Sequence, residues 1–191
     1  MTVRLIHQMG IGVVLSVQGG LWVTLTGPNM NDACSKTKLT SLVTFKLIGK
    51  DRSGAEVVSY GFKLKQWFVS RGTTQASASI QTSWCNSIGY SMPRVRDLTN
   101  AQCTGIVTSE PECRGSVGAI LSSPDNYYPR RIGAVFFTKW GHMDDSFVGR
   151  LFCTSDDAGN GLFYVSSGYG GIRDSSHVNR SYAFCASVLK L

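Results

Sequence analysis

Six cysteines, Cys34, Cys85, Cys103, Cys113, Cys153 and Cys185, are the most chemically marked residues of this chain. Their number is even and they are scattered. No C-x-x-C pair occurs, which argues against a zinc site and against thioredoxin-like redox exchange. Disulfides formed in an oxidising compartment (periplasm, cell surface or medium) are the expected use. Cys103 and Cys113 flank Gly105 and Pro111 and suit a local bond that staples one loop. Four cysteines then remain, and among their possible pairings Cys34 with Cys153 could bridge two parts of the chain. Spacing alone leaves the pairing open.

The second marked stretch is Asn126-Tyr127-Tyr128-Pro129-Arg130-Arg131. Tyrosine and arginine are favoured where proteins bind proteins, because both join a broad contact area to hydrogen bonding. The proline between them stiffens the patch and lowers the entropy lost on binding. Tyr127, Tyr128, Arg130 and Arg131, with His142 and Asp144 from the next loop, are therefore the candidate binding residues. The competing use is a core tyrosine pair flanked by solvated arginines.

Catalytic constellations are scarce. His7, His142 and His177 stand in unrelated settings. A cysteine–histidine nucleophile needs a free thiol, which a fully bonded cysteine set removes. No G-x-S-x-G, phosphate-cradling loop or H-E-x-x-H is present. Gly168-Tyr169-Gly170-Gly171 lacks the setting of a nucleotide loop and reads as a turn before the last strands. The chain is not expected to be an enzyme, and a secreted hydrolase is the weakest alternative.

The elements that must position these residues follow from composition and pattern. The chain has 191 residues, a net charge of +7, 42% apolar residues and 10% aromatics. That composition excludes an intrinsically disordered chain and has room for one domain or two small ones. No run of 18 apolar residues occurs, so no membrane-spanning helix is expected. Arg4 followed by Gly10 to Val17 faintly mimics a signal peptide, but the apolar stretch is short, glycine-broken and without a cleavage site. Met1 therefore reads as the start of an excised or mature segment. The basic excess sits early: residues 1–72 carry 9 basic and 3 acidic side chains, residues 73–191 carry 10 and 9. Its lysines are spread over several strands, which fits a solvated surface better than a nucleic-acid site.

Val13 to Val17, Leu21 to Leu25 and Leu42 to Leu47 read as strands, separated by Gly19-Gly20, Gly27-Pro28-Asn29 and Asp51-Arg52-Ser53-Gly54 turns. Val57 to Val69 alternates around Phe62, Leu64 and Trp67 as one half-buried strand. Short strands at such spacing suggest a small antiparallel β-sandwich, an expectation that allows its first strand to be missing. At Arg71 the texture changes. Ala76, Ile80, Trp84 and Ile88 form one apolar helical stripe, capped by Thr73 or Thr74 and stopped at Gly89. Pro93 to Ala101 suggests a shorter helix with Val95 and Leu98 inward. Brief β runs follow at Val117 to Leu121, Ile132 to Thr138, Phe147 to Thr154, Gly161 to Ser166 and Tyr182 to Leu189. Trp67 and Trp84 are read as core, as is Phe136-Phe137-Thr138-Lys139-Trp140. The expected fold is mainly β with an α+β C-terminal part.

The first helix ends in Trp84-Cys85-Asn86-Ser87-Ile88-Gly89-Tyr90-Ser91-Met92-Pro93, and the chain closes near Tyr182-Ala183-Phe184-Cys185. This pairing resembles the C-terminal receptor-binding module of the intimin/invasin family of bacterial outer-membrane adhesins. The resemblance covers roughly residues 73–191. It implies an immunoglobulin-like β-sandwich over residues 1–70 and a C-type-lectin-like domain over residues 71–191. It also implies a disulfide between Cys85 and Cys185, tying the first helix to the last strand. The extra cysteines depart from the family pattern, and no barrel or sandwich array lies within these residues, which leaves room for a soluble secreted member.

The function so implied is that of an exported adhesin of the virulence type, secreted or at the bacterial outer membrane. Its partner is expected to be a protein, either a host-cell receptor or a bacterial outer-membrane partner. Nucleic acid and membrane insertion by this segment are not expected. A carbohydrate-binding lectin, with or without calcium, is the alternative. Glu110-Pro111-Glu112 and Trp140-Gly141-His142 are poor echoes of the lectin calcium triplets. Asp144, Asp145, Asp156 and Asp157 could supply some oxygens, yet acidic surface turns are the ordinary reading. No metal or cofactor is expected.

Overall fold

The computed structural model describes residues 2–6, 13–17, 21–25, 43–101, 135–139, 150–159, 161–174 and 179–188. The chain divides into two units, one of residues Met1–Trp67 with Ser187–Leu191, the other of residues Phe68–Ala186.

In the first unit, β1 (Thr2–Ile6), β4 (Val43–Lys50) and β5 (Glu56–Leu64) form an antiparallel sheet with β4 in the middle. β2 (Val13–Val17) and β3 (Leu21–Leu25) pair as a separate antiparallel ribbon. Both lie where the Val- and Leu-rich runs predict them. β1 was not legible, since Thr2–Ile6 is a single brief run at the edge of the chain. Between β4 and β5 the Asp51 carboxylate accepts from the Ser53 amide (2.8 Å), the Ser53 hydroxyl (2.6 Å) and the Ala55 amide (3.0 Å). These bonds hold that carboxyl below its ordinary value, the Ser53 hydroxyl contributing most. The stretch 57–69 is two strands rather than one. β5 ends at Leu64 and β6 (Gln66–Ser70) begins past Lys65. Phe62 and Leu64 share parity, whereas Trp67 does not, so one continuous strand would put them on opposite faces.

In the second unit β6 pairs with β10 (Phe184–Val188), and β7 (Leu151–Asp157), β8 (Leu162–Ser166) and β9 (Ile172–Arg173) form an antiparallel meander. Three helices, α1 (Ala78–Ser87), α2 (Val95–Leu98) and α3 (Phe136–Lys139), complete it among the described residues. This is the expected α+β arrangement within a mainly β chain. Val95, Leu98, Phe137, Phe152, Phe163, Val165, Ile172 and Phe184 form its core. Phe152 stacks on Phe184 at 4.4 Å between centroids, and Phe137 meets Phe152 at 5.6 Å. Such pairs contribute about 0.5–1.5 kcal/mol each beyond their buried area.

Three local expectations change. α1 begins after Ser77 rather than at Thr73 or Thr74, and Ser77 makes no side-chain cap. Its buried face is Gln81 and Cys85, while Ile80 is 54% exposed and Trp84 and Ile88 are half-buried. Gln81 donates to the Ser181 carbonyl (2.7 Å) and Cys85 is bonded to Cys185, so the closing segment turns the helix one residue away from its apolar stripe. One residue is about 100° of rotation. The end of α1 does match: Gly89 sits at φ +77°, its amide bonds Asn86 O (3.0 Å) and the Tyr90 amide bonds Cys85 O (2.9 Å). α2 is shorter than expected, with Arg94 rather than Pro93 at its entry, yet Val95 and Leu98 are buried as predicted. Phe136–Lys139, expected as strand, is a helical turn. Thr138 closes it, accepting from the Val135 amide (3.0 Å) and donating to the Val135 carbonyl (2.9 Å). Local bonds of this kind compete directly with a β ladder.

Candidate functional site

The β8–β9 turn, Ser167 to Gly171, is where the ends of two longer connections meet. Gly170, at φ +73°, lets the chain reverse tightly, with its amide on Ser166 O (2.8 Å) and the Ser166 amide on Gly171 O (2.9 Å). On one side the Thr99 hydroxyl donates to the Gly170 carbonyl (2.7 Å) and accepts from the Ala101 amide (3.1 Å). That fastens the chain as it leaves α2 into residues 102–134. On the other side the Ser167 amide bonds Arg150 O (2.9 Å) and the Arg150 amide bonds the Ser167 hydroxyl (3.1 Å). That fastens the chain as it returns from residues 140–149. α3 lies between the two connections, packs against α2 and places Phe137 in the core.

At the surface of the turn stand two residues of binding chemistry. Tyr169 is 45% exposed. Its hydroxyl accepts a hydrogen bond from Arg173 Nε at 3.1 Å, which holds an exposed phenol beside an exposed guanidinium. A tyrosine and an arginine held in advance lose less rotamer freedom when a partner arrives. Sequence reasoning read Gly168–Gly171 as a turn only. The signal for a site was there, an aromatic inside a glycine turn with an arginine four residues on.

The sequence candidates Tyr127, Tyr128, Arg130, Arg131, His142 and Asp144 lie outside the described residues, as do Cys34, Cys103 and Cys113. The segment 102–134 leaves the described chain beside this turn, at Ala101, and the segment 140–149 rejoins it there, at Arg150. The Cys85–Cys185 disulfide is present, with Cα atoms 5.3 Å apart across 100 residues. Cys153 does not bridge anything. It is a buried free thiol. Its Sγ lies 3.6 Å from Met92 Sδ and 3.4 Å from Tyr182 O, inside the second unit. Packing against a thioether, rather than a second cysteine, replaces the expected bridge.

Of the carboxylates considered for calcium, Asp144 and Asp145 lie outside the described residues, and Asp156 and Asp157 are engaged with the backbone. Asp156 accepts from the Val95 amide (2.8 Å) at the start of α2, and Asp157 from the Gly159 amide (2.7 Å). Among the described residues no three potential metal ligands cluster. Trp84 is half-buried under the Arg71 guanidinium, 5.2 Å from its ring centroid, and the same Arg71 donates to Gln81 (2.8 Å). No described helix is long and apolar enough to cross a membrane.

No protein-family model matches the chain. Over 75 residues, 35% of its length, it is 31% identical to the inverse autotransporter adhesin YeeJ of Escherichia coli (strain K12). It spans 3% of the length of that protein. Its fold is similar to the crystal structure of invasin, a bacterial integrin-binding protein, with a TM-score of 0.61 and 12% identity. That match covers 98% of this chain and 31% of the other. The chain is thus intimin/invasin-like, in fold over nearly its whole length and in sequence over a shorter stretch.

Proposed function

We propose that the chain is the binding end of a bacterial surface or secreted adhesin. Its first unit, about residues 1–70, is read as an immunoglobulin-like sandwich and its second as a C-type-lectin-like module. Binding is assigned to the apex around the Ser167–Gly171 turn. One observation carries this reading: the turn to which Thr99 and Arg150 are both fastened itself exposes Tyr169, hydrogen-bonded to Arg173. The hydrogen-bonded Tyr169 and Arg173 are a low-entropy anchor for a protein, and Tyr127 to Arg131 and His142 to Asp144, outside the described residues, are assigned as further contacts. The partner is a host-cell surface protein or an outer-membrane protein of the producing bacterium. The adhesin and integrin-binding descriptions of the similar proteins favour the former. The work is binding rather than catalysis.

The test is equilibrium binding of the purified chain to cultured mammalian cells and to outer-membrane vesicles. Saturable binding that survives calcium chelation and excess free sugar, and is lost after protease treatment of the target surface, is expected. Binding abolished by chelation, or competed by simple sugars, would replace the reading with that of a lectin.

A further inference from the structure

Among the described residues the three-stranded sheet of the first unit has two outer strands, β1 and β5, and β5 is the one with an exposed apolar face. β4 is flanked by β1 and β5, so β5 has a free edge among the described residues. On β4 the face that includes Phe45 and Leu47 is buried. Across the ladder Tyr60 stands opposite Leu47 and Phe62 opposite Phe45, with the two phenylalanine rings stacked at 4.9 Å. Yet on β5 the same face is uncovered: Val58 is 51% and Tyr60 53% exposed. Val57, the extra residue where the register slips between Lys50–Glu56 and Gly49–Val58, is 59% exposed. An open edge with an apolar face is a template for another strand unless it is guarded or occupied.

The opposite face carries the complementary chemistry. Side chains alternate along a strand, so Ser59, Gly61 and Lys63 share the other face, with Lys46 opposite Gly61. Lys46, Lys63 and the following Lys65 are exposed and make no ion pair with a described residue. The nearby acids are otherwise engaged or distant in the ladder: Asp51 in its turn, Glu56 opposite Lys50. Gly61 adds a second sign. A Cβ there would meet only Phe45 O at 3.6 Å, an ordinary contact, so the fold itself does not require glycine at this point. Glycine in a strand interior often marks close approach by another backbone.

We propose that the free edge of β5 takes up an extended segment of a partner protein, one that alternates apolar with acidic residues. Its apolar side chains lie beside Val58, Tyr60 and Phe62, its carboxylates beside Lys46 and Lys63, and its main chain continues the β4–β5 ladder. This site is on the first unit and does not depend on the apex of the second.

The probe is a labelled nine-residue peptide alternating valine and glutamate, titrated into the full chain by fluorescence anisotropy. Saturable one-to-one binding is expected, weakened about fivefold or more by Tyr60→Glu or by Lys63→Glu. The Lys63→Glu chain should instead gain affinity for the valine–lysine peptide. Full N-methylation of the peptide should abolish binding, since it removes every donor of the ladder. Equal binding of an all-glutamate peptide, or of the N-methylated one, would overturn the proposal in favour of diffuse charge attraction. Absence of any binding would overturn it too. So would sedimentation showing that a second copy of the chain occupies the edge. Circular dichroism of each variant confirms that these exposed substitutions leave the fold intact.

Discussion

The guanidinium of Arg150 lies 4.4 Å from the centroid of the Tyr182 ring, while its backbone exchanges hydrogen bonds with Ser167. One residue therefore ties the end of the 140–149 connection to the Ser167–Gly171 turn and to the segment that leads into β10. Arg150→Ala should remove about 0.5–1 kcal/mol of cation–π attraction at this partly exposed position. Native-state hydrogen exchange should show faster opening at the Arg150 and Ser167 amides. Unchanged exchange at both would mean that the side chain contributes nothing to the turn.

The second unit should depend on the bond between Cys85 and Cys185, which closes a loop across 100 residues. Closing a loop of that length is worth up to ~4.7 kcal/mol in the chain-entropy model, and removing native bonds commonly costs ~2–5 kcal/mol. Replacing both cysteines with serine should lower the second unit's thermal midpoint sharply. Peptide mapping without reduction should recover the linked pair; either cysteine found bonded elsewhere would contradict the account.

Cys153 and Tyr164 set an alkaline limit. Burial pushes the Cys153 thiol above its ordinary value of 9.0, offset in part by the neighbouring Ser181 side chain. Burial likewise raises the Tyr164 phenol above 10.0, helped by the charge a Cys153 thiolate would carry. Folded values above unfolded ones mean that the contribution is complete below the unfolded value and is lost as pH rises through the folded one. Stability should accordingly be flat up to about pH 9 and then fall. Iodoacetamide at about pH 8 should leave Cys153 unmodified until denaturant is added. Rapid alkylation in the folded chain would show that the thiol is not buried.

Much of this fold is legible in the sequence. β2 and β3 coincide with runs of β-branched and apolar residues bounded by turn signals. Gly89 stops α1 in the left-handed conformation, as glycine after a helical pattern suggests. What periodicity could not give was the rotation of α1. A buried Gln81 outranks an exposed Ile80 because a distant segment, at Ser181 and Cys185, supplies its hydrogen bond and its crosslink. Phe136–Lys139 misled for a related reason: aromatic β-propensity yields to the local bonds of Thr138. Tyr169 and Arg173 were overlooked because an i, i+4 pair is a helix signal, and here a glycine turn brings it together.

The central claim is that the apex around Ser167–Gly171 is the contact surface, and alanine substitution measures it most directly. Tyr169→Ala, Arg173→Ala, Tyr128→Ala and Arg131→Ala should be compared with the unaltered chain in binding to mammalian cells and outer-membrane vesicles. If the apex is the anchor, at least one change in each pair costs ~2 kcal/mol or more with circular dichroism unchanged. The loss should vary little with salt, because packed aromatic anchors are screened less than surface charge. Affinity untouched by all four substitutions, or lost only when residues 1–58 are removed, would place the contact elsewhere and contradict the account.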